Sequence, residues 1–207
     1  MKKRWKFQKF NEKLGVLYRI VCKIQLNNAL KYDMILKYME KFMLEALKEA
    51  ERARDKGEIP IGAVIEKDGV IIGRGHNLTE TEKDPTAHAE IVAIRQAGKA
   101  LGETLGWRRL TGCNMYVTVE PCSMCAGALV WARIEKLYIG AMDPKAGGCG
   151  SIFNIVQESK LNHQVEVFEI EEGLTKTRCQ EIVRDFFREL RTRKKNTKEQ
   201  KSEDTKK

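Results

Sequence analysis

Val119-Glu120-Pro121-Cys122-Ser123-Met124-Cys125 places two thiols three positions apart, directly after an apolar strand pattern and at the opening of a helical one. Upstream, His88-Ala89-Glu90 offers one imidazole with a carboxylate two residues on. One imidazole and two thiolates make three ligands for a tetrahedral zinc ion and leave its fourth position open, as a catalytic rather than a closed structural site requires. Zinc in that state lowers the pKa of a bound water to about 7, and Glu90 is then free to carry protons.

Working outward, Cys113 to Val119 reads as a strand and Pro121 opens a helix through Cys122, Cys125, Leu129 and Ala132. A second helical pattern starts at Thr86, with Ile91, Ile94 and Ala97 on one face and Gly98 near its end, so His88 and Glu90 fall in its first turn. Residues two apart on a helix point roughly 200° from each other, so they converge only on a site beyond its N-terminal end. The cysteines are also expected in a first turn, where free N–H groups and the positive end of the helix dipole favour thiolate.

Gly62–Ile65 and Val70–Gly73 flank Asp68-Gly69, a strong hairpin signal, and their nearly continuous apolar character predicts burial on both faces. Asp33 caps a helix to about Lys56 that carries Ile35, Met39, Met43, Leu47 and Ala50, and Gly57 ends it. Asn77 to Pro85 reads as a loop, Ile134 to Ala141 and Val165 to Ile170 as strands, and Glu181 to Leu190 as a helix ahead of the basic run Arg191 to Lys195. The loop Asp143 to Gly150 is glycine-rich but lacks the G-x-x-x-x-G-K order of a phosphate loop. Strands alternating with helices predict an α/β fold, a three-layer α/β/α sandwich around one mixed sheet.

The 207 residues suit one domain, placed at 33–195. Residues 1–32 form a basic extension of open role: an accessory helix, a targeting arm, or sequence upstream of a start at Met34. Residues 196–207 read as a charged, disordered tail. A hydrophobic content of 42% with 32% charged residues fits a soluble globular enzyme, and a net charge of +9 favours a polyanionic partner such as nucleic acid or a membrane surface, the plainer reading being a soluble protein with a lysine-rich tail. Six cysteines, the closest pair at metal spacing, point to a reducing, cytoplasmic setting rather than a disulfide scaffold. Arg19 and Lys23 interrupt the short apolar run near the N-terminus, and no stretch reaches the ~18 apolar residues of a membrane span.

H-x-E together with P-C-x-x-C is the recognised signature of zinc nucleobase deaminases. With Asp84-Pro85-Thr86-Ala87-His88-Ala89-Glu90-Ile91, Tyr116 to Ala128 and Arg133-Ile134 in order, the chain closely resembles bacterial tRNA-specific adenosine deaminases from about Met39 to Arg193. The metal signature alone is shared across the cytidine and deoxycytidylate deaminase superfamily. The Pro-Thr-Ala-His-Ala-Glu context, the Asp143–Gly150 loop and Phe186-Phe187-Arg188 narrow the likeness. The resemblance implies a cytidine deaminase-like fold with five strands and hydrolysis of adenosine to inosine at the wobble position of a tRNA anticodon. It implies one zinc per subunit on His88, Cys122 and Cys125, with Glu90 as proton carrier. It also implies a homodimer and contacts to the anticodon stem-loop. Asn77 falls at the family's base-contacting asparagine, Lys145 and Asn162 at RNA-contacting positions, Asp143 near a flanking ribose, and Phe187 and Arg191 at an aromatic and a basic contact. Thr79 stands where some relatives carry an arginine, so that contact is either absent here or supplied by Arg74, Arg108 or Arg109.

Plainer readings stand beside these. The C-x-x-C pair could be a structural half-site completed by Cys113, Cys149 or His163, or a redox pair, although a redox pair leaves His88 and Glu90 unexplained. Cys22, Cys113, Cys149 and Cys179 read as core or incidental, His76 as pocket wall and His163 as packing. The competing activities are deamination of a free base or nucleotide of guanine or cytidine type, and RNA binding by a catalytically silent zinc protein. The basic terminal helix argues against the first and Glu90 against the second.

Overall fold

The turn at Asp68-Gly69 sets the first strand pair, because both residues adopt left-handed backbone (φ 51° and 81°), the conformation a two-residue hairpin of native twist demands. A computed structural model describes residues 34–105, 109–170 and 173–204. The N-terminal extension at 1–32 and Arg108 lie outside the described residues. The hairpin joins β1 (Gly62–Lys67) to β2 (Val70–His76). β1 then pairs antiparallel with β3 (Asn114–Val117), and β4 (Lys136–Ile139) and β5 (Glu166–Glu169) follow in parallel. The resulting mixed five-stranded sheet has the order β2-β1-β3-β4-β5. β1 is buried along its length, but β2 is an edge strand with Val70 63% exposed, so burial on both faces holds only for the inner partner.

Helices cover both faces. Residues 34–55 form α1, closed by Gly57 at φ 78°. Met43, Leu47 and Ala50 are buried as their spacing requires, whereas Ile35 is exposed. Side chains alternate along each strand, and Ala63, Ile65, Met115, Val117, Leu137 and Ile139 meet α3 (Ala89–Leu105) and α4 (Ser123–Ala132) in one core. On the opposite face Tyr116, Tyr138 and Phe168 stack across β3, β4 and β5 at centroid separations of 4.4 and 5.0 Å, and Phe42 of α1 continues the row at 5.2 Å. Such aromatic pairs contribute about 0.5–1.5 kcal/mol each beyond their buried area. The terminal helix α5 (Leu174–Asp204) shares that face. Thr175 donates to Glu40 at 2.9 Å and Arg178 pairs with Glu51 at 2.6 Å on α1. These are the three expected layers.

Three boundaries differ from the sequence reading. The segment after β2 contains a short helix, α2 (Thr79–Glu82), where a loop was expected. α3 begins at Ala89 rather than Thr86, because the Asp84 carboxylate accepts from both the N–H and the hydroxyl of Thr86 at 2.7 Å and holds that residue in a turn. α5 runs on to Asp204, so the stretch from Asn196 is helical rather than a disordered tail; its lysines, glutamates and glutamine are good helix formers, uninterrupted by Gly or Pro.

Candidate metal centre and substrate groove

Two helix starts supply the donors. His88 immediately precedes α3 and its carbonyl accepts the N–H of Val92 at 3.0 Å, while Cys122 caps α4 and Cys125 lies in that helix's first turn. α3 is pressed onto the sheet at Gly73 and Gly75, where a Cβ would run into the backbone of Ala93 and Ala89. β3 and its continuation deliver Cys122, with Thr118 N–H bonded to Gly62 and Glu120 N–H to Ala141.

The imidazole Nδ1 of His88 stands 3.7 Å from each sulfur, and the three donor atoms all lie within 4.8 Å of one another. Zn–S and Zn–N bonds of standard length, set at tetrahedral angles, put N and S about 3.6 Å apart and the two sulfurs about 3.8 Å apart. The donor set therefore fits zinc in both chemistry and spacing. Cys125 is buried and Cys122 half-buried. A hydrogen bond from the Cys125 thiol, helped by His88, draws Cys122 down to about 3, while the same bond and burial push Cys125 up, so the anionic sulfur is that of Cys122. His88 is raised, chiefly by its bond to Cys122. Cys113, Cys149 and His163 do not join the cluster. Cys149 and Cys113 bond the carbonyls of Pro121 and Thr111, and His163 the carbonyl of Ile134.

Glu90 lies in the first turn of α3, only 3% exposed, outside the donor set yet within hydrogen-bonding reach of Cys125. Burial is the main reason its carboxyl is pushed above the ordinary range. Asn77 is also buried. The N–H of the next residue, Leu78, bonds the carbonyl of Ala87 at 2.9 Å, which ties Asn77 to the residue before His88. Its amide donates to Thr79 Oγ1 at 3.3 Å, and that hydroxyl reaches Glu58.

Beside the metal corner, the loop after β4 and the middle of α5 enclose a groove of about 620 Å³ lined by Met142, Asp143, Lys145, Val183, Phe187 and Arg191. Asp143, Lys145, Phe187 and Arg191 are thus brought together from segments distant in sequence. Asn162 is not part of this wall. It is exposed, and its backbone carbonyl accepts from Arg133. Arg74 is paired with Glu45 at 2.7 Å, and Arg109 is exposed.

One residue of the motif went without a role in the sequence reading. Glu120 is 4% exposed, and its carboxylate accepts from the N–H groups of Asp143 (2.9 Å), Cys149 and Ser151 (both 3.0 Å) and from the Ser151 hydroxyl. Burial works to raise its pKa, but these bonds outweigh it and hold the carboxyl below the ordinary value. A buried acid facing a glycine-rich loop is the only trace of this in the sequence.

The model of MafB19-like deaminases matches residues 38–191. The tRNA-specific adenosine deaminase of Bacillus subtilis (strain 168) is 50% identical over 79% of this chain and 98% of its own, and that of Aquifex aeolicus (strain VF5) 48% identical over 73% and 95%. The chain belongs to the tRNA-specific adenosine deaminase family. A solved structure from a study of A-to-I editing by tRNA deaminases at the wobble position superposes with a TM-score of 0.62. It is 44% identical and covers 69% of this chain and 98% of that one. The mixed sheet and its helical layers are the fold of these deaminases.

Proposed function

We propose that the protein hydrolyses adenosine to inosine at the first anticodon position of a tRNA. The observation that carries the reading is the juxtaposition of His88, Cys122 and Cys125 with a buried Glu90 that stands outside the donor set. His88, Cys122 and Cys125 would hold one zinc per chain. Zinc held so supplies the acidification of water to a pKa near 7. Glu90 accepts one proton from the attacking water and delivers it to the purine ring nitrogen, then carries the added hydroxyl's remaining proton to the amino group. The C–N bond breaks and ammonia leaves. Burial raises the carboxyl of Glu90 above the ordinary carboxylate range, the direction that strengthens it as a proton acceptor.

The base must leave the anticodon stack, at a cost of roughly a few kcal/mol. Asn77 offers its amide to the adenine edge from the rim of the corner. Phe187 stacks on a neighbouring base, Arg191 and Lys145 neutralise phosphate, and Asp143 meets a flanking ribose hydroxyl. Asn162, outside the groove, is left with a contact farther along the loop of RNA.

A homodimer is supported by the exposed face of α4. Met124 and Trp131, seven residues apart and so on one side of that helix, are 36% and 79% exposed, and Ile152 and Phe153, whose N–H groups bond the carbonyl of Gly147 in the loop bridged to Cys122, are 50% and 58% exposed. Trp131→Glu is expected to yield monomers in sedimentation. The free cysteines and the tRNA substrate support a cytoplasmic setting, and among the described residues no helix is long and apolar enough to cross a membrane.

The deciding experiment incubates the purified protein with an unmodified tRNA whose anticodon begins with A, followed by nucleoside analysis. Free adenosine, cytidine and guanine are run alongside. Inosine in the tRNA alone is expected; turnover of a free compound with the tRNA untouched overturns the reading. Glu90→Gln is expected to lower turnover by about 10²–10⁴-fold with zinc content unchanged.

A further inference from the structure

The loop that bears Asp143 and Lys145 is exposed from Pro144 to Ala146, and its apolar anchors are Cys149 in the core and Met142 packed against it. A carboxylate supplies the polar tether between them. Glu120 gathers the N–H groups of Asp143, Cys149 and Ser151, together with the Ser151 hydroxyl, onto its two oxygens, so that one side chain spans the loop from its first residue almost to its last. Gly147 lies flat against that carboxylate, where any Cβ would collide with it. A backbone bond completes the attachment: Gly148 N–H reaches the carbonyl of Pro121 at 2.8 Å, within the β-bridge of Gly147 to Cys122. The loop is thereby clamped to the same three residues that start α4 and carry the first sulfur.

We infer that Glu120 is a positioning residue that sets the substrate loop in register with the metal corner, so that the groove wall and the reacting centre grip one RNA at a fixed separation. The inference rests on the proposed tRNA reading for its kinetic consequence, but not for its structural one. Glutamate is suited to this role because both oxygens must accept. Glutamine would turn one of them into a donor aimed at backbone N–H groups, and aspartate would fall short by a methylene. Charge-assisted bonds of this kind are stronger than neutral ones, so losing several together should free the loop rather than loosen it slightly.

The test compares wild type, Glu120→Gln and Ser151→Ala as full-length, zinc-loaded protein. Hydrogen exchange at the amides of Asp143, Cys149 and Ser151, and tryptic cleavage after Lys145, read the loop without any substrate. For Glu120→Gln we expect both to accelerate by about tenfold or more. KM for tRNA should rise by about tenfold while kcat falls less than about threefold and zinc stays at one per chain. Ser151→Ala, which removes only the hydroxyl bond, should move KM and exchange the same way by about threefold, and it decides the matter if Glu120→Gln does not fold. Wild-type exchange and KM in the variant that folds overturn the inference, as does a fall in kcat with KM unchanged. Failure of the functional reading looks different: no variant, nor the wild type, would make inosine, while the exchange and cleavage differences would remain.

Discussion

The metal corner and the groove beside it are put together in opposite ways. Every group of the corner sits at or next to the first turn of a helix, and each pair is local: His88 with Glu90, Cys122 with Cys125. The groove joins a loop at 142–145 to a helix face at 183–191, with no motif in either piece. A corner of that kind is rigid because helix starts and the sheet beneath set its geometry. A groove of that kind depends on how a loop is tethered. Among the described residues the two supports meet only at 120–122, so a loss at the corner should show in turnover and a loss in the groove in binding.

The largest effect is expected at the corner. Cys125→Ser should strip the metal and reduce deamination to background, with metal analysis and inosine assay moving together. If turnover survived without zinc, the corner would lose its place in the comparison. In the groove the loss should be in binding alone. Arg191→Ala or Phe187→Ala should raise KM by about three- to tenfold with kcat within about twofold. Arg191→Ala should also flatten the salt dependence of tRNA affinity by close to one phosphate's share, about 0.7–0.9 in slope. A change in kcat instead would tie the groove to the chemistry.

The smallest effect concerns a second tether, on the other side of the corner. Glu58 is buried and accepts from the N–H groups of Glu80 and Thr81 (3.2 and 2.6 Å) and from the hydroxyl of Thr79, holding the start of α2 beside Asn77. Burial alone would raise its pKa, but these bonds prevail and lower it. A lowered folded pKa contributes stability that is complete above the ordinary carboxylate range and is lost as pH falls through the folded value. Glu58→Gln should lower the thermal midpoint by a few degrees at pH 7, about 1–3 kcal/mol, and the gap to wild type should close on acidification below pH 4. A pH-independent gap would assign the effect to packing.

What the sequence disclosed follows the same division. Asp68-Gly69 announced a hairpin because two left-handed residues leave few alternatives, and C-x-x-C announced two sulfurs at one corner because four residues are enough to bring them together. The mixed sheet and its layers followed from alternation. Thr86 was misplaced into a helix because the Asp84 side chain competes for its N–H, which an apolar pattern does not register. Glu120 was passed over because its meaning lies in a loop more than twenty residues away, and the reach of α5 because a charged composition describes a solvated helix as well as a loose tail. Asn162 stands outside the groove lining, and nothing local in the sequence distinguishes it in this from Lys145.

Gly73 and Gly75 reach further than their own strand. With bare backbone at both positions, α3 can lie down on β2 at a distance that no larger residue would permit. A single methyl at either would act as a shim under the helix, tilting the end from which an imidazole and an acid project. The alignment of the reactive centre is in that sense governed by two side chains the protein does not have.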